Sequence, residues 1–555
     1  MTDQIRGHHT QLARLAGSYL WCPRISAGSY VWCPRISRIS VSGRPLAVGL
    51  LAVLATVAFG ACTKGGPQGK RLASGLAREV IVAPGGGMAA FLQGASHPED
   101  RGVPDDLLLG NLMLASTSGD SPAQRVGGGV PTLAGARAFS PGGEWLAFLA
   151  QWRFRAGEGE LWLAGSSGGP RKVADGVSAM RWAPAGSLLA FVSNGKLMVL
   201  DAAKEPAPPS LALDPVQTFA WAPGGNRLAG RAPSVEGGRV EMMDVRTGRR
   251  REVAKASSDL AFGPDEALYL LGPAGTKGGD RPLSVLESFD ARPREIGRAT
   301  SFAASDRYVA LLSTDRQPGE AFGVLSRAPL TVGAAELLGD RVNEFRFAPR
   351  GDLLFLARYD ARARAGTLTH APPGKPPREL GQRVQSFTVQ KDRVLYLVQA
   401  PQKGDFKIEL WTAPLDGSVP ARKVDDGVYG YQLTPDGKRL FWKARCAGGA
   451  RSCSLFRAPA DGSGPAQLLA ANVAGFELSA DAGRVLIQQP HRGAARAVDL
   501  AVLDADAAPP EGGRVKPLAT EVDPSSRFAD ARGRRIVYAS MGGAGQAGVY
   551  LLEVP

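Results

Sequence analysis

The pattern closest to a catalytic motif is Gly165–Gly169, which reads GSSGG. It fits the Gly-x-Ser-x-Gly form in which hydrolases expose a nucleophilic serine at a sharp strand-to-helix turn. Here Ser167 lies between two apolar strand patterns, at the place that LDGSV and DVRTG occupy elsewhere in the chain. Because a turn between two strands does not give a serine that exposure, we interpret GSSGG as a structural turn.

Histidines and acidic pairs offer little more chemistry. The histidines downstream of residue 61 are His97, His370 and His491. None has a metal-ligand spacing or a neighbouring nucleophile, and we expect each to be a loop residue. The pairs Asp105/Asp106 and Asp425/Asp426 are predicted in turns, where aspartate accepts hydrogen bonds from local backbone. The sequence therefore predicts no catalytic residue, no metal site and no cofactor, and it favours a non-enzymatic protein.

Cys446 and Cys453 flank a glycine-rich loop, WKARCAGGARSCSLFRA, between two predicted antiparallel strands. Cross-strand partners lie close enough for a disulfide, and an oxidising compartment permits one. The alternative, a metal site, requires two further ligands, and no histidine is near. A disulfide is the favoured interpretation.

Cys62 ends a segment with a different chemistry. Residues 44–62 read RPLAVGLLAVLATVAFGAC, one arginine before an apolar run that closes with small residues and a cysteine. This is typical of a signal peptide. Its end resembles a bacterial lipobox, which implies that Cys62 carries a lipid and becomes the first mature residue. The polar segment TKGGPQG then predicts a flexible tether.

The resemblance places the protein in the bacterial cell envelope, anchored by lipid. Because residue 63 is threonine and not aspartate, we expect the outer membrane, facing the periplasm. Residues 1–40 contain a duplication, SYLWCPRIS and SYVWCPRIS, upstream of this signal. We interpret them as a misassigned N-terminal extension; a metal or redox arm at Cys22 and Cys33 is the alternative.

A short phrase recurs along the rest of the chain: an aromatic residue, Ser/Ala-Pro, a glycine turn and an apolar run. It is FSPGGEWLAF at Phe139–Phe148 and FAPRGDLLFL at Phe347–Leu356. The prolines are Pro84, Pro141, Pro184, Pro223, Pro264, Pro349 and Pro435. Degenerate copies without the proline are Phe302–Leu312, Phe387–Val398, Phe476–Ile487 and Phe528–Ala539. In all, the phrase predicts eleven repeats.

Each repeat has the content of one β-propeller blade. The turn joins two strands rich in apolar and aromatic residues, as in a hairpin, and a second hairpin follows. Three to four strands in about 40 residues match known propeller repeats. In FSPGGEWLAF we expect Gly143 to take a positive φ. We expect Phe139, Leu146 and Phe148 to enter the layers between sheets, and Glu144 in the turn to face solvent.

The phrase resembles the TolB-type propeller repeat, and LTPDGKRLFW at Leu433–Trp442 is the best copy. The resemblance covers residues 75–555 and implies an all-β propeller of four-stranded blades. TolB places an α/β domain before six blades, whereas the repeats here follow the tether directly. TolB's partnership with a peptidoglycan-associated lipoprotein is therefore not implied.

Eleven blades exceed the four to eight of an ordinary ring. We expect two tandem rings, residues 75–300 and 301–555, joined near residues 290–305. They follow the extension at 1–40, the signal peptide at 41–61 and the lipidated cysteine with its tether at 62–74. The alternative is one oversized ring, closed by the strand Arg78–Ala83 pairing into the last blade.

The formal net charge is +14, of which about +9 remains after residue 61. Single, scattered basic residues indicate a solvated surface, and they exclude a concentrated nucleic-acid site. The favoured function is a lipid-anchored envelope module that binds or scaffolds a protein, peptide or glycan. The alternative is an envelope hydrolase or lyase whose carboxylates converge at the propeller funnel from distant repeats.

Overall fold

The computed structural model describes residues 68–98, 103–166, 168–204, 208–235, 237–273, 279–314, 322–331, 333–402, 405–447, 451–494, 496–542 and 546–554. Within these ranges the chain is all-β, and its only helical segment is the 3-10 turn Glu511–Gly513. No helix there is long and apolar enough to cross a membrane. Residues 64–555 form one compact unit.

The first twenty strands are β1 (Lys70–Ser74), β2 (Ala77–Val82), β3 (Met88–Ser96), β4 (Leu109–Ser116), β5 (Gln124–Pro131), β6 (Arg137–Phe139), β7 (Trp145–Arg153), β8 (Glu158–Gly165), β9 (Arg171–Trp182), β10 (Leu188–Ser193), β11 (Lys196–Asp201), β12 (Ser210–Leu213), β13 (Thr218–Trp221), β14 (Arg227–Arg231), β15 (Gly238–Asp244), β16 (Arg250–Ser257), β17 (Asp259–Phe262), β18 (Leu268–Leu271), β19 (Arg281–Leu286) and β20 (Arg294–Ala299).

The remaining strands are β21 (Ser301–Ala304), β22 (Tyr308–Ser313), β23 (Gly323–Pro329), β24 (Glu336–Val342), β25 (Phe345–Phe347), β26 (Leu353–Asp360), β27 (Ala365–Ala371), β28 (Arg378–Gln390), β29 (Arg393–Gln402), β30 (Asp405–Pro414), β31 (Arg422–Asp426), β32 (Gly430–Leu433), β33 (Arg439–Ala444), β34 (Cys453–Pro459), β35 (Gln467–Val473), β36 (Gly475–Leu478), β37 (Arg484–Pro490), β38 (Val498–Asp504), β39 (Ala519–Val522), β40 (Arg527–Phe528), β41 (Arg535–Ser540) and β42 (Gly548–Glu553).

Four consecutive antiparallel strands are the building unit. The four-stranded sheets of the described chain are β2–β5, β13–β16, β17–β20, β21–β24 and β32–β35. Two longer sheets, β6–β12 and β25–β31, each contain a long strand that pairs with both neighbours through different halves. β9 pairs with β8 through residues 171–177 and with β10 through residues 177–182. A long strand thus ends one unit and begins the next.

The repeated phrase builds the first hairpin of each unit. The hydroxyl oxygen of the buried Ser140 accepts a hydrogen bond from the Trp145 amide at 3.1 Å, which stabilises the turn. Thr434 does the same for the Arg439 amide at 3.0 Å. Gly143 has φ 81°, in the left-handed region, as expected from the sequence. The Ser/Thr-Pro and glycine positions therefore encode the turn between the first and second strands.

The core lies between neighbouring sheets. Leu146 and Phe148 of β7 are fully buried against Leu92 and Leu112 of the preceding sheet. Glu144 in the turn is exposed. These positions agree with the register expected from the sequence, and the stacked sheets form a propeller-like arrangement.

The first and last sheets are linked through β1. Lys70 pairs with Leu551 and Ser74 with Gly548, so β1 is a strand of the last sheet. The expected closing strand, residues 78–83, was misassigned: β2 (Ala77–Val82) pairs with β3 across a tight glycine turn. Pairing with a strand that begins six residues away closes a short loop, which costs less conformational entropy than pairing with a distant strand. β2 therefore pairs with β3.

The packing continues across residues 290–305. β20 ends at Ala299 and β21 begins at Ser301, so the expected boundary falls between two sheets. Tyr269 of one sheet and Val309 of the next belong to one buried cluster. The Tyr269 and Phe302 rings lie 5.8 Å apart. This interface therefore has the same construction as that between β2–β5 and β6–β9.

Candidate functional site

We take the first strand of each unit as the strand on the axis side of the propeller-like arrangement. First strands of neighbouring units contact one another, as β13 does β17, β21 does β25 and β2 does β40. A group of polar and aromatic side chains lies on or directly beside these strands in the second half of the chain, and we call it the axis-side cluster. Its members are Glu344, Arg346, Phe387, Thr388, Tyr431, Glu477 and Arg527.

Arg346 joins two neighbouring units within this cluster. One of its Nη atoms lies 2.8 Å from Glu344 Oε1, and its Nε donates to the same oxygen at 3.0 Å. Its guanidinium carbon lies 5.9 Å from the centre of the Phe387 ring, within the range of a cation–π contact. Burial raises the pKa of Glu344, and Arg346 partly offsets this shift.

Two further contacts continue the cluster. The hydroxyls of Tyr431 and Thr388 are 3.0 Å apart, and burial raises the pKa of Tyr431. Arg527 Nε lies 3.4 Å from Glu477 Oε2, between the last two units. Burial also raises the pKa of Glu477, against the opposing effect of Arg527. Both carboxylates of the cluster thus have an arginine partner.

This arrangement is suited to binding. The two arginines and two hydroxyl groups offer hydrogen-bond donors, and the two glutamates balance the charge of the arginines, so the cluster is polar without a net charge where the first strands meet. An acid–base pair of carboxylates would need one group free to hold a proton and one to accept it. Here each glutamate is engaged by a guanidinium, which opposes without cancelling the rise in pKa that burial causes, so neither carboxylate is free of a partner.

The cluster was not identified from the sequence, although a signal exists. Most of its members occupy one position of the repeat, directly before the last apolar residue of the first strand. That position holds Arg346, Thr388, Gln432, Glu477 and Arg527 in the last five units, which we call the second half. In the first six units, the first half, it holds Ile81, Ala138, Arg181, Ala220, Ala261 and Ala303, so four of six are alanine. Aligning the repeats by position would have revealed it.

The two propeller cysteines meet in the structure. Cys446 and Cys453 form a disulfide in the loop between β33 and β34. The Ala447 amide donates to the Ser452 carbonyl at 2.9 Å, which closes the same loop. Cys62, Cys22, Cys33 and Ser167 lie outside the described residues.

The histidines differ in part from expectation. His370 is a buried residue of strand β27 and not a loop residue, with Nε2 3.2 Å from Asp352 Oδ2. The sequence TLTHA did not indicate a buried strand position for His370, because a histidine interrupts the apolar pattern of a strand. His97 and His491 do lie in loops. Among the described residues, no group of three His, Cys, Asp or Glu side chains could hold a metal ion.

The acidic pair at residues 425 and 426 also differs from expectation. Both residues belong to strand β31 and not to a turn. Asp425 accepts a hydrogen bond from Trp442 Nε1 at 2.9 Å, and Asp426 pairs with Lys407 at 2.7 Å. These carboxylates therefore connect strands.

No protein-family model matches the chain, and no curated protein matches it. Solved structures are similar to it at low identity. A eukaryotic initiation factor is 12% identical with a TM-score of 0.39, over 64% of this chain and 93% of the other. The tricorn protease is 11% identical with a TM-score of 0.29, over 86% and 57%. The acylaminoacyl peptidase of Pyrococcus horikoshii is 13% identical with a TM-score of 0.28, over 56% and 57%. At these TM-scores the similarities assign no function.

Proposed function

We propose that this chain is a lipid-anchored β-propeller of the bacterial cell envelope that binds a protein, peptide or glycan partner. The lipid is attached to Cys62, and the partner is held near the axis by the arginines, hydroxyls and aromatic ring of the axis-side cluster. The pairing of β1 with β42 carries the proposal, because it fixes where the anchored end of the chain meets the propeller.

The same pairing supports one closed ring of eleven blades of the TolB-like type. If β9 and β28 are each counted in two units and the eight-stranded last sheet is divided into β36–β39 and β40–β42 with β1, the described strands can be grouped into eleven four-stranded units. Leu72 and Phe91, near the start of the chain, share a buried cluster with Val537 and Val549, near its end. Two tandem rings would instead pair each end of the chain with a sheet near residue 300.

The anchor enters on one particular face. We call the side formed by turns such as Asp530–Arg534 the turn face, and the side formed by links between units the link face. Lys70 pairs with Leu551, and Arg535 pairs with Glu553 directly after the turn, so Lys70 lies at the turn face. Seven residues separate Cys62 from Lys70, and they reach at most about 25 Å. The turn face is thereby held toward the membrane.

The link face is then presented to the periplasm. Three apolar side chains in links are exposed there: Leu76 at 58%, Leu133 at 39% and Tyr429 at 53%. Aromatic and apolar residues of this kind anchor protein interfaces. A partner that enters from the link face meets these residues first and the axis-side cluster next.

Capture of partners from envelopes tests the binding role. Full-length protein and the double variant Arg346→Gln/Arg527→Gln are cross-linked in cells and purified. Arg181→Gln is the matched control, because Arg181 occupies the same repeat position in the first half. We expect the double variant to lose the partner and the control to keep it. An unchanged set of captured molecules in all three proteins would contradict the proposal.

The anchor is tested separately. Cys62→Ser should abolish incorporation of labelled fatty acid and leave an unprocessed or soluble species. Continued labelling of the variant would rule out lipidation at Cys62. Deletion of residues 1–40 should leave export unchanged if the extension is not part of the natural product.

A hydrolase or lyase is the second candidate. Burial raises the pKa of both Glu344 and Glu477, as occurs for catalytic acids. If this role is correct, the variants Glu344→Gln and Glu477→Gln should each abolish cleavage of a captured glycan or peptide. Recovery of that ligand intact from wild-type protein would favour binding.

A further inference from the structure

A charged cavity opens on the turn face, at the units that contain β25–β28, β28–β31 and β32–β35. Its volume is about 520 Å³, within the range of small-molecule sites. The cationic side chains that line it are Arg350, Lys391, Arg393 and Lys438. We call it the turn cavity.

Two of these four cations are engaged by the protein. Lys391 Nζ donates to the Asp436 carbonyl at 2.7 Å. Arg393 donates from one Nη to the Thr412 hydroxyl at 3.2 Å. In the described chain, the side chains of Arg350 and Lys438 make no direct hydrogen bond or ion pair, and each interacts only electrostatically with one carboxylate, Arg350 with Asp416 and Lys438 with Asp436.

Of the three carboxylates that line the cavity, two are engaged by the protein and one is not. Asp436 Oδ1 accepts hydrogen bonds from the Thr434 hydroxyl at 2.5 Å and the Lys438 amide at 3.0 Å, inside its own turn. Asp461 Oδ1 accepts from the Ser463 amide at 2.9 Å. These bonds lower the pKa of both groups. Asp392 has no side-chain partner among the described residues, so it remains available to a ligand.

Several repeat turns lack these two cations, although Arg532 and Arg534 occupy the same two positions in the last unit. Arg350 follows the proline of its turn, where other repeats have Gly85, Gly142, Ala185 and Gly224. Lys438 stands where those repeats have Gly87, Glu144, Ser187 and Asn226. The turn itself therefore does not require either charge.

We propose that the turn cavity binds a phosphate ester that carries a protonated amine, as in the phosphoethanolamine headgroup of a membrane lipid. Arg350 and Lys438 hold the phosphate, since a guanidinium matches phosphate oxygens and a lysine adds a point charge. Asp392 accepts hydrogen bonds from the ammonium group and disfavours a ligand that is only anionic. The choice of a membrane lipid as the source of this headgroup rests on the proposed function, in which the lipid anchor holds the turn face toward the membrane.

Calorimetry with the full-length protein in detergent tests the site. The probes are O-phosphoethanolamine, inorganic phosphate and ethanolamine. We expect phosphoethanolamine to bind at least about fivefold more tightly than phosphate, and ethanolamine to bind least. Arg350→Ala/Lys438→Ala should weaken phosphoethanolamine binding at least about tenfold. Asp392→Asn should remove only the preference over phosphate.

Arg532→Ala/Arg534→Ala is the matched control, because it removes two exposed arginines from a turn on the same face in the last unit. It should bind phosphoethanolamine as the wild type does. Thermal melting of each variant checks that the fold is kept. Absence of saturable binding, or equal affinity in the wild type and Arg350→Ala/Lys438→Ala, would overturn the site.

Binding to vesicles tests whether a membrane lipid supplies the headgroup, independently of the lipid anchor at residue 62. The unlipidated Cys62→Ser protein is mixed with vesicles of phosphatidylethanolamine or of phosphatidylcholine, whose quaternary amine cannot donate to Asp392. Preference for the first, lost in Arg350→Ala/Lys438→Ala, supports the lipid headgroup. Equal binding to both would overturn the lipid source. Since this variant has no lipid at residue 62, failure of the anchor hypothesis does not affect the result.

Discussion

The two halves of the chain share one architecture but differ in chemistry. Sheets in both halves bury an equivalent phenylalanine, Phe148 in β7 and Phe355 in β26, between neighbouring sheets. The repeat position before the end of the first strand is mostly alanine in the first half and mostly polar or charged in the second. The turn cavity also lies in the second half. Stability is thus distributed around the repeats, whereas candidate binding groups are concentrated on one side.

The largest expected effect tests the shared architecture. Phe148→Ala and Phe355→Ala should each lower the free energy of unfolding by about 3–5 kcal/mol, as large-to-small changes in a core do. Glu144→Ala, in an exposed turn, should be nearly neutral. Denaturant unfolding measures all three. A silent Phe148→Ala with a destabilising Glu144→Ala would mean that the strand register is off by one residue.

The next effect tests how the halves are joined. Leu72 of β1 is buried between the first and last sheets, so Leu72→Ala should cost about 2–4 kcal/mol. In one closed ring, hydrogen exchange should rise in β2–β5 and in β41–β42 before it rises near residue 300. Faster exchange around β20 and β21 first would instead support two tandem rings.

A smaller effect is confined to the second half. Cys446→Ala/Cys453→Ala removes a disulfide with a sequence separation of 7, and a loop this short contributes about 2–3 kcal/mol. Hydrogen exchange should increase in β33 and β34 and stay unchanged in the first half. Non-reducing peptide mapping of exported wild-type protein should find the two cysteines joined, and two free thiols would contradict the bond.

The smallest effect is a dependence on pH. Burial lowers the pKa of His370, although Asp352 opposes the shift. As the pH falls through the ordinary value of about 6.5, the unfolded chain takes up a proton before the native chain does. Stability is therefore complete above that value and decreases below it. His370→Gln should flatten the decrease between about pH 6.5 and 5, and an unchanged slope would show that other groups cause it.

The sequence predicted the local structure well. Serine, proline and glycine in the repeated phrase specify the first hairpin through short-range contacts, and Gly143 and Phe148 occupy the expected conformations and environments. The closing strand was misassigned because β1 finds its partner at the far end of the chain. Arg346 and Phe387 come together for a similar reason: their contact depends on how two units pack, which the spacing of residues along one strand does not encode.

The position of β1 also constrains the order in which the molecule can be completed. Residues 70–74 are synthesised long before their partner strand, residues 548–553. Until that strand is made, both ends of the stack are open sheet edges, which attract other chains. A nascent chain therefore keeps β1 without its partner strand until residues 548–553 are made, and a chain truncated before residue 548 lacks that partner. The pairing of β1 with β42 can therefore form only after almost all of the described residues have been synthesised.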